Sequence, residues 1–216
     1  MKGVKVMTKI KHIYVDGKLV GTGNAKIEEI DKEPEYFLKV FHDDCASYPF
    51  DDDEAVKFYS NYGQYIWDGV MLQELLAKLD EVPKKVEELV ELLNKTDDDY
   101  YYVAVYGFDH SGLSVSLTPF DCPFDSGLLG ILQIDKGCSD LQKLVEDWIR
   151  IVNMWLDNEV YCVKVIDELG ECVDSIGGIY AKDAEDFAKN VSEYISNEYH
   201  LTDEDYKKAY ENQINI

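Results

Sequence analysis

Residues 101–135, YYVAVYGFDHSGLSVSLTPFDCPFDSGLLGILQID, decide the fold class of this chain. Three runs in this stretch, at 101–106, 113–118 and 128–134, are rich in aromatic and β-branched residues, which is typical of strands. The connections between them are polar and hold no helical pattern. We therefore expect hairpin-like, antiparallel strands rather than alternating strands and crossover helices.

A long amphipathic helix follows the third run. Ser139 with Gln142 three residues later forms a capping-box pattern. From Leu141 to Leu156 apolar residues recur at i, i+3, i+4 and i+7. This spacing predicts a helix whose apolar stripe is buried, most simply against one face of the sheet.

Similar patterns on both sides extend the sheet and add helices. Strands are predicted at 12–15 and 18–22 around an Asp16-Gly17 turn, and at 24–30, 36–41, 160–166 and 171–180. Helices are predicted at 69–80, from Pro83 onward, at 182–197 and from Thr202 onward. No linker or repeat interrupts the chain. The sequence therefore predicts one α+β domain over 1–216, with an antiparallel sheet packed against several helices, an N-terminal hairpin at 10–30 and acidic C-terminal helices at 182–212.

The charge balance excludes whole classes of function. The 216 residues include 44 Asp and Glu against 21 Lys and Arg, a formal net charge of −23, and Arg150 is the only arginine. A protein that neutralises phosphates needs a basic face. We therefore expect no direct binding to nucleic acid and none to an anionic membrane.

The expected compartment is the cytoplasm of a bacterial cell. No apolar run reaches the roughly 18–20 residues of a membrane span. Residues 1–10 lack the apolar core of a signal peptide. Five cysteines, an odd number without a C-x-x-C pair, are expected to be reduced thiols. No motif indicates a cofactor.

The connections that flank residues 113–118 hold the candidate catalytic residues Asp109, His110, Cys122 and Asp125. A thiol, an imidazole and a carboxylate could form a papain-like hydrolase site or contribute to a metal-binding enzyme. A strand of six residues spans about 20 Å, so the two connections should lie at its opposite ends. The favoured interpretation is therefore structural, with no catalytic residues, and the enzyme is the alternative.

A second group of ligand-type side chains is His42-Asp43-Asp44-Cys45. Carboxylates with one histidine could hold a divalent cation. Adjacent residues of an extended segment point to opposite faces, so at most two could converge. We expect a solvated turn and no metal site.

The acidic residues are the feature of the sequence that says most about its function. Their excess over basic residues is larger in the second half of the chain, where residues 109–216 carry a net charge of −14 against −9 for residues 1–108. Carboxylates one or two helical turns apart resemble phosphate spacing along a strand, so such a surface can occupy a nucleic-acid channel on another protein. Simple solubility is the competing explanation. The predicted partner-binding residues are Asp183, Glu185, Asp186, Glu193, Asp203, Glu204 and Asp205.

Three blocks of sequence resemble a family of small acidic proteins from phages and integrated mobile elements of bacteria. The resemblance spans roughly residues 35–190. The blocks are Val40-Phe41-His42-Asp43-Asp44-Cys45-Ala46-Ser47-Tyr48-Pro49; residues 106–112 with 120–130, which contain Asp-His-Ser-Gly and Cys-Pro-Phe-Asp-Ser-Gly; and Glu159-Val160-Tyr161 with Gly170-Glu171 and residues 174–177. Phe124 replaces the usual tryptophan, and Asp51-Asp52-Asp53-Glu54 replaces a basic stretch.

The resemblance implies an accessory gene of a mobile element rather than a particular activity. Many such genes encode inhibitors of host restriction or CRISPR systems. The sequence thus predicts a non-enzymatic anti-defence inhibitor that binds a host protein through a surface mimicking nucleic acid. A hydrolase or metal-binding enzyme centred on Asp109, His110, Cys122 and Asp125 is one alternative, and a non-catalytic structural phage protein is another. The oligomeric state stays open.

Overall fold

The computed structural model describes residues 7–15, 18–27, 35–51, 53–195 and 199–212. The chain forms two compact units, Met1–Glu35 and Tyr36–Ile216. In the first, β1 (Met7–Val15) pairs antiparallel with β2 (Lys18–Ile27), with Val15 opposite Lys18. This confirms the predicted hairpin, although its Asp16-Gly17 turn and residues 28–30 lie outside the described residues. The separate strand expected at 24–30 is instead the continuation of β2.

The second unit contains helices and antiparallel sheets, so the α+β class is confirmed. Its strands are β3 (Tyr36–His42), β4 (Val56–Ser60), β5 (Tyr100–Asp109), β6 (Leu113–Ser116), β7 (Ser126–Asp135), β8 (Val160–Asp167) and β9 (Cys172–Tyr180). Its helices are α1 (Leu72–Leu76), α2 (Val86–Thr96), α3 (Leu141–Leu156), α4 (Ala184–Ser192) and α5 (Asp203–Glu211). The strands divide between two sheets, ordered β4-β7-β5-β6 and β3-β8-β9. The single domain expected over 1–216 stays a prediction.

The four-stranded sheet is covered by helices on both faces. On one face Trp148 and Val152 of α3 pack on Phe58, Val105 and Leu132, all fully buried. This confirms that the α3 stripe packs on the sheet. The opposite face packs against α1 and α2, through a buried cluster of Tyr59, Leu72, Leu75, Leu89, Leu93, Tyr102 and Ile131. Alternate residues of each strand serve the two faces, as the two-residue period of a strand requires.

Helices α4 and α5 cover the three-stranded sheet. Phe187 and Val191 of α4 and Tyr206 of α5 pack on Val40 and Val163 of that sheet. Among the described residues, no helix has the length and apolarity needed to cross a membrane.

Several predicted boundaries differ from the structure. Helix α1 is shorter than 69–80 because Met71 is extended and forms a bridge with Ser60. Helix α3 is capped by Asp140, whose carboxylate accepts a hydrogen bond from the Lys143 N–H at 3.0 Å, and not by Ser139. Helix α4 ends at Ser192, before the predicted 197, and residues 196–198 lie outside the described part. Strand β4 was not predicted at all.

Candidate functional site

The structure brings together the two connections that the sequence placed at opposite ends of a strand. Strand β7 pairs antiparallel with β5 from its first residue, so that Ser126 lies opposite Phe108. The chain leaving β6 must therefore return along the full length of that strand. The Asp109 N–H then donates to the Asp125 carbonyl at 2.8 Å. The expectation of opposite ends was wrong, because it ignored where the next strand begins.

We call residues 106–112 and 120–130 the central block. Asp125 contacts both potentially reactive side chains of this block, those of His110 and Cys122. Its Oδ2 lies 3.3 Å from His110 Nδ1 and accepts a hydrogen bond from the Cys122 thiol at 3.6 Å. Asp109 accepts a hydrogen bond from the Tyr65 hydroxyl, and this bond is the main reason why the pKa of Tyr65 is raised. All four residues of the alternative catalytic set, Asp109, His110, Cys122 and Asp125, thus lie in one cluster.

The cluster does not reproduce a papain-like arrangement. In a papain-like site the thiol and the imidazole pair directly, whereas here both of these side chains contact the carboxylate of Asp125. A cleft of about 280 Å³ beside the cluster is lined by Tyr62, Tyr65 and Phe124 among others. Phe124 is 92% exposed. The arrangement offers an aromatic contact surface and an anchored thiol.

Residues 42–45 support the turn between α3 and β8. His42 Nδ1 lies 3.0 Å from the Asn158 carbonyl, and the Asp44 carboxylate accepts from the Asn158 amide at 3.2 Å. Asp43 instead accepts a hydrogen bond from the Gly178 N–H at 3.3 Å. Within the described part of the chain, no group of three or more His, Cys, Asp or Glu side chains could hold a metal ion. The five cysteines are free thiols.

Six of the seven predicted partner-binding carboxylates lie at the starts of α4 and α5, and Glu193 lies at the end of α4. Asp183 caps α4, and Asp205 forms a capping box with Thr202 that lowers its pKa. Glu185 forms an ion pair with Lys207 at 2.7 Å between the two helices. Carboxylates at helix N-termini stabilise the helix, so part of this set has a local structural role. Glu193, Asp203 and Glu204 are exposed.

A larger acidic surface lies elsewhere, beside the four-stranded sheet and its loops, and it extends to the end of β9 in the three-stranded sheet. Three clefts of about 920, 500 and 440 Å³ adjoin one another there. The first two share Lys78, Tyr100 and Gln133, and the second and third share Asp51. We call these three clefts the acidic groove. Eleven carboxylates line it against two lysines, Lys57 and Lys78, and they are Asp43, Asp51, Asp53, Glu54, Asp68, Asp80, Glu81, Glu88, Asp97, Asp98 and Asp99.

Strand direction explains why distant acidic runs meet in this groove. Strands β4 and β5 both pair antiparallel with β7, and Val56 and Tyr101 both lie opposite Ile134. The starts of β4 and β5 therefore lie at the same end of the sheet. The run 51–54 precedes β4 and the run 97–99 precedes β5. Both runs are visible in the sequence, but their meeting is not, because β4 was not predicted.

Two polar atoms in the acidic groove are buried without a hydrogen-bond partner, Asp68 Oδ1 and Gln133 Oε1. The other carboxylate oxygen of Asp68 accepts from the Phe58 N–H. Desolvation, opposed by this hydrogen bond and reinforced by the charge of Asp51, raises the pKa of Asp68 to about 6. Gln133 is only 8% exposed. Buried polar groups are normally paired, so both atoms mark a place that an external donor could occupy.

Asp97 orders one wall of the groove. Although burial opposes it, hydrogen bonds from the Tyr102 hydroxyl and from the Asp99 and Tyr100 N–H groups lower the pKa of Asp97. The Tyr102 hydroxyl donates at 2.7 Å, and the Lys136 ammonium donates to the Asp97 carbonyl at 2.5 Å. The turn 97–99 is thereby fixed, and it directs two further carboxylates, Asp98 and Asp99, to solvent.

No protein-family model, no curated protein and no solved structure matches this chain. The resemblance to acidic mobile-element proteins stays a prediction. The molecule itself offers two clusters of candidate functional side chains, the central block and the acidic groove.

Proposed function

We propose that this protein is a non-enzymatic inhibitor encoded by a phage or mobile element, which uses its acidic groove to occupy the basic, nucleic-acid-binding surface of a host defence protein. The single observation that carries the proposal is the gathering of eleven carboxylates in three adjoining clefts with only two lysines. A defence enzyme that binds DNA or RNA has the complementary charge. The mobile-element setting comes from the resemblance of the sequence.

The shape of the surface favours this function over simple solubility. Acidic residues that only keep a protein in solution have no reason to line concave surfaces, where mutual repulsion raises their cost. A concave surface of one charge sign concentrates the field and attracts a partner of opposite charge. Among the residues that the structure describes, the ion pair of a groove carboxylate is the one between Glu88 and Lys85, at 3.3 Å, and it joins two exposed side chains. Such a pair contributes little and is easily exchanged for a partner's cation.

The carboxylates of α4 and α5 form a second acidic region in the proposal. Those that cap helices are expected to be partly unavailable to a partner. Asp203, Glu204 and Glu193 have exposed side chains and are the members of the predicted set that are best placed for partner contact. We rank them after the acidic groove.

The test is capture of host proteins by the intact chain and by a groove variant. The variant carries Asp80→Asn, Glu81→Gln and Asp99→Asn, which removes three exposed charges and spares the structural Asp97. A control carries Asp121→Asn, Glu168→Gln and Glu171→Gln, which removes three exposed charges outside the groove. Capture from a bacterial lysate is compared at about 0.05 M and about 0.5 M salt, where screening lengths differ about threefold.

We expect a nucleic-acid-binding defence protein to be captured at low salt and released by high salt or by competing nucleic acid. The groove variant should lose capture while the control retains it. In cells, the intact chain and the control should protect an infecting phage from restriction or CRISPR interference. Inhibition that persists at high salt and in the groove variant would contradict the proposal.

An enzyme at the central block is the second candidate. It is favoured by one observation, the contact of both the Cys122 thiol and the His110 imidazole with Asp125. If a reaction depends on the thiol, Cys122→Ser should abolish it. Cys138 is also a free, half-buried thiol, so Cys138→Ser is the matched control and should leave the reaction intact. A thiol-reactive probe that does not label Cys122 in the native protein would count against this candidate.

A further inference from the structure

The most unusual polar group in the acidic groove is Gln133, in the middle of the four-stranded sheet. Its cross-strand neighbours are Lys57 on β4 and Tyr102 on β5. The residue as a whole is 8% exposed, its buried Oε1 has no hydrogen-bond partner, and it lines both the 920 Å³ and the 500 Å³ cleft. An unpaired buried acceptor is destabilising unless a donor reaches it. The position therefore indicates a ligand that brings a donor.

The surroundings of Gln133 define the charge of that ligand. Asp68, whose buried Oδ1 is the second unpaired acceptor, lines the 500 Å³ cleft. The carboxylates of Asp98 and Asp99 lie at the 920 Å³ cleft. A ligand that enters here must be a hydrogen-bond donor and a cation.

Aromatic rings that line the same cleft as Gln133 further restrict the chemical class of the ligand. Tyr59 and Tyr100 line the 500 Å³ cleft, and the ammonium groups of Lys57 and Lys78 already lie 5.7 and 5.9 Å from the centre of the Tyr59 ring. The ring thus attracts cations in the free protein. A guanidinium combines a positive charge with a flat surface that stacks on aromatic rings and several donors in one plane.

We infer that the cleft at Gln133 receives the guanidinium group of an arginine from the basic surface of the partner protein. This inference rests on the proposed function and names its central contact. The Gln133 amide oxygen accepts a hydrogen bond from the guanidinium, the carboxylates of the cleft supply the opposite charge, and Tyr59 and Tyr100 offer their rings for stacking. An ammonium group, as in lysine or a polyamine, has the charge but lacks the planar set of donors.

The experiment compares three cations that bind to the intact chain: hexa-arginine, hexa-lysine and spermidine, each measured by titration calorimetry. The key variant is Gln133→Met, which keeps the size of the side chain and removes the acceptor. We expect hexa-arginine to bind more tightly than hexa-lysine. The variant should weaken hexa-arginine by about tenfold, as expected for a lost hydrogen bond to a charged group, and hexa-lysine by less than about twofold. Unchanged circular dichroism and an unchanged or higher melting temperature confirm that the variant folds.

The chemical shift of the Gln133 side-chain amide gives a readout that a structural role would not move. It should change when hexa-arginine is added and not when spermidine is added. Equal weakening of both peptides in the variant, or equal affinity of the two peptides for the intact chain, would overturn the inference. A host protein captured equally well by Gln133→Met would also overturn it, while loss of capture in the triple groove variant would still support the acidic groove.

Discussion

Replacing Asp68 by asparagine should stabilise the free protein at neutral pH. Asp68 is the groove carboxylate with the least favourable surroundings, because burial and the neighbouring Asp51 raise its pKa from the usual 3.8 to about 6. At pH 7 the side chain is therefore ionised in a site that favours the neutral form. Asparagine keeps an oxygen that can accept the Phe58 N–H and removes the charge.

The size of the effect follows from the shift in pKa. A shift of about two pKa units corresponds to about 3 kcal/mol for a fully shielded group. Asp68 is half-buried, and solvent screening reduces this to about 1 kcal/mol. The sign follows from linkage: between about pH 4 and about pH 6 the folded state binds more protons at this site than the unfolded state, so the contribution of Asp68 to stability falls as the pH rises through that window. Asp68→Asn removes that fall.

Urea unfolding followed by tryptophan fluorescence measures the difference. We expect Asp68→Asn to have a free energy of unfolding about 1 kcal/mol above wild type at pH 7, and a difference near zero at about pH 4, where the wild-type carboxyl is neutral. Asp121→Asn, an exposed single-charge control, corrects for the general relief of repulsion in a protein of net charge −23. An asparagine variant that is less stable than wild type at pH 7, or whose advantage is equal at both pH values, would refute the reasoning.

Two further predictions concern the stability of the four-stranded sheet and of helix α3, which packs on it. In Gly130→Ala the new methyl group would lie 2.3 Å from the Tyr59 carbonyl oxygen and 2.6 Å from the Phe58 ring. Because neither can yield without moving β4, we expect chemical denaturation to show a loss of about 3 kcal/mol or more in the free energy of unfolding. A loss below about 1 kcal/mol would show that β4 can move away from β7. Asp140→Ala should lower the free energy of unfolding by about 1 kcal/mol, because it removes the side chain that caps α3. Ser139→Ala should change the melting temperature little. A larger loss in Ser139→Ala than in Asp140→Ala would show that Ser139 is the cap.

Local sequence patterns determined the secondary structure and its class. The aromatic and β-branched residues of 101–106 and 128–134 and the apolar stripe of 141–156 each depend on one segment and its own neighbours in the chain. The strands β5, β7 and β8 and the helix α3 therefore appear close to where the patterns placed them. The candidate residues Asp109, His110, Cys122 and Asp125 were also visible, since unusual side chains need no structure to be noticed.

Tertiary structure alone decided which of these segments meet. Pairing of β7 with β5 from Ser126 onward turned two connections, expected about 20 Å apart, into one cluster around Asp125. Pairing of β4 with the other side of β7 brought Asp53 and Glu54, which precede β4, to the same end of the sheet as the run 97–99. It also left Gln133 buried between the clefts. Strand order and direction depend on contacts between residues far apart in the chain, and no local period encodes them, so the groove could be seen only in the folded molecule.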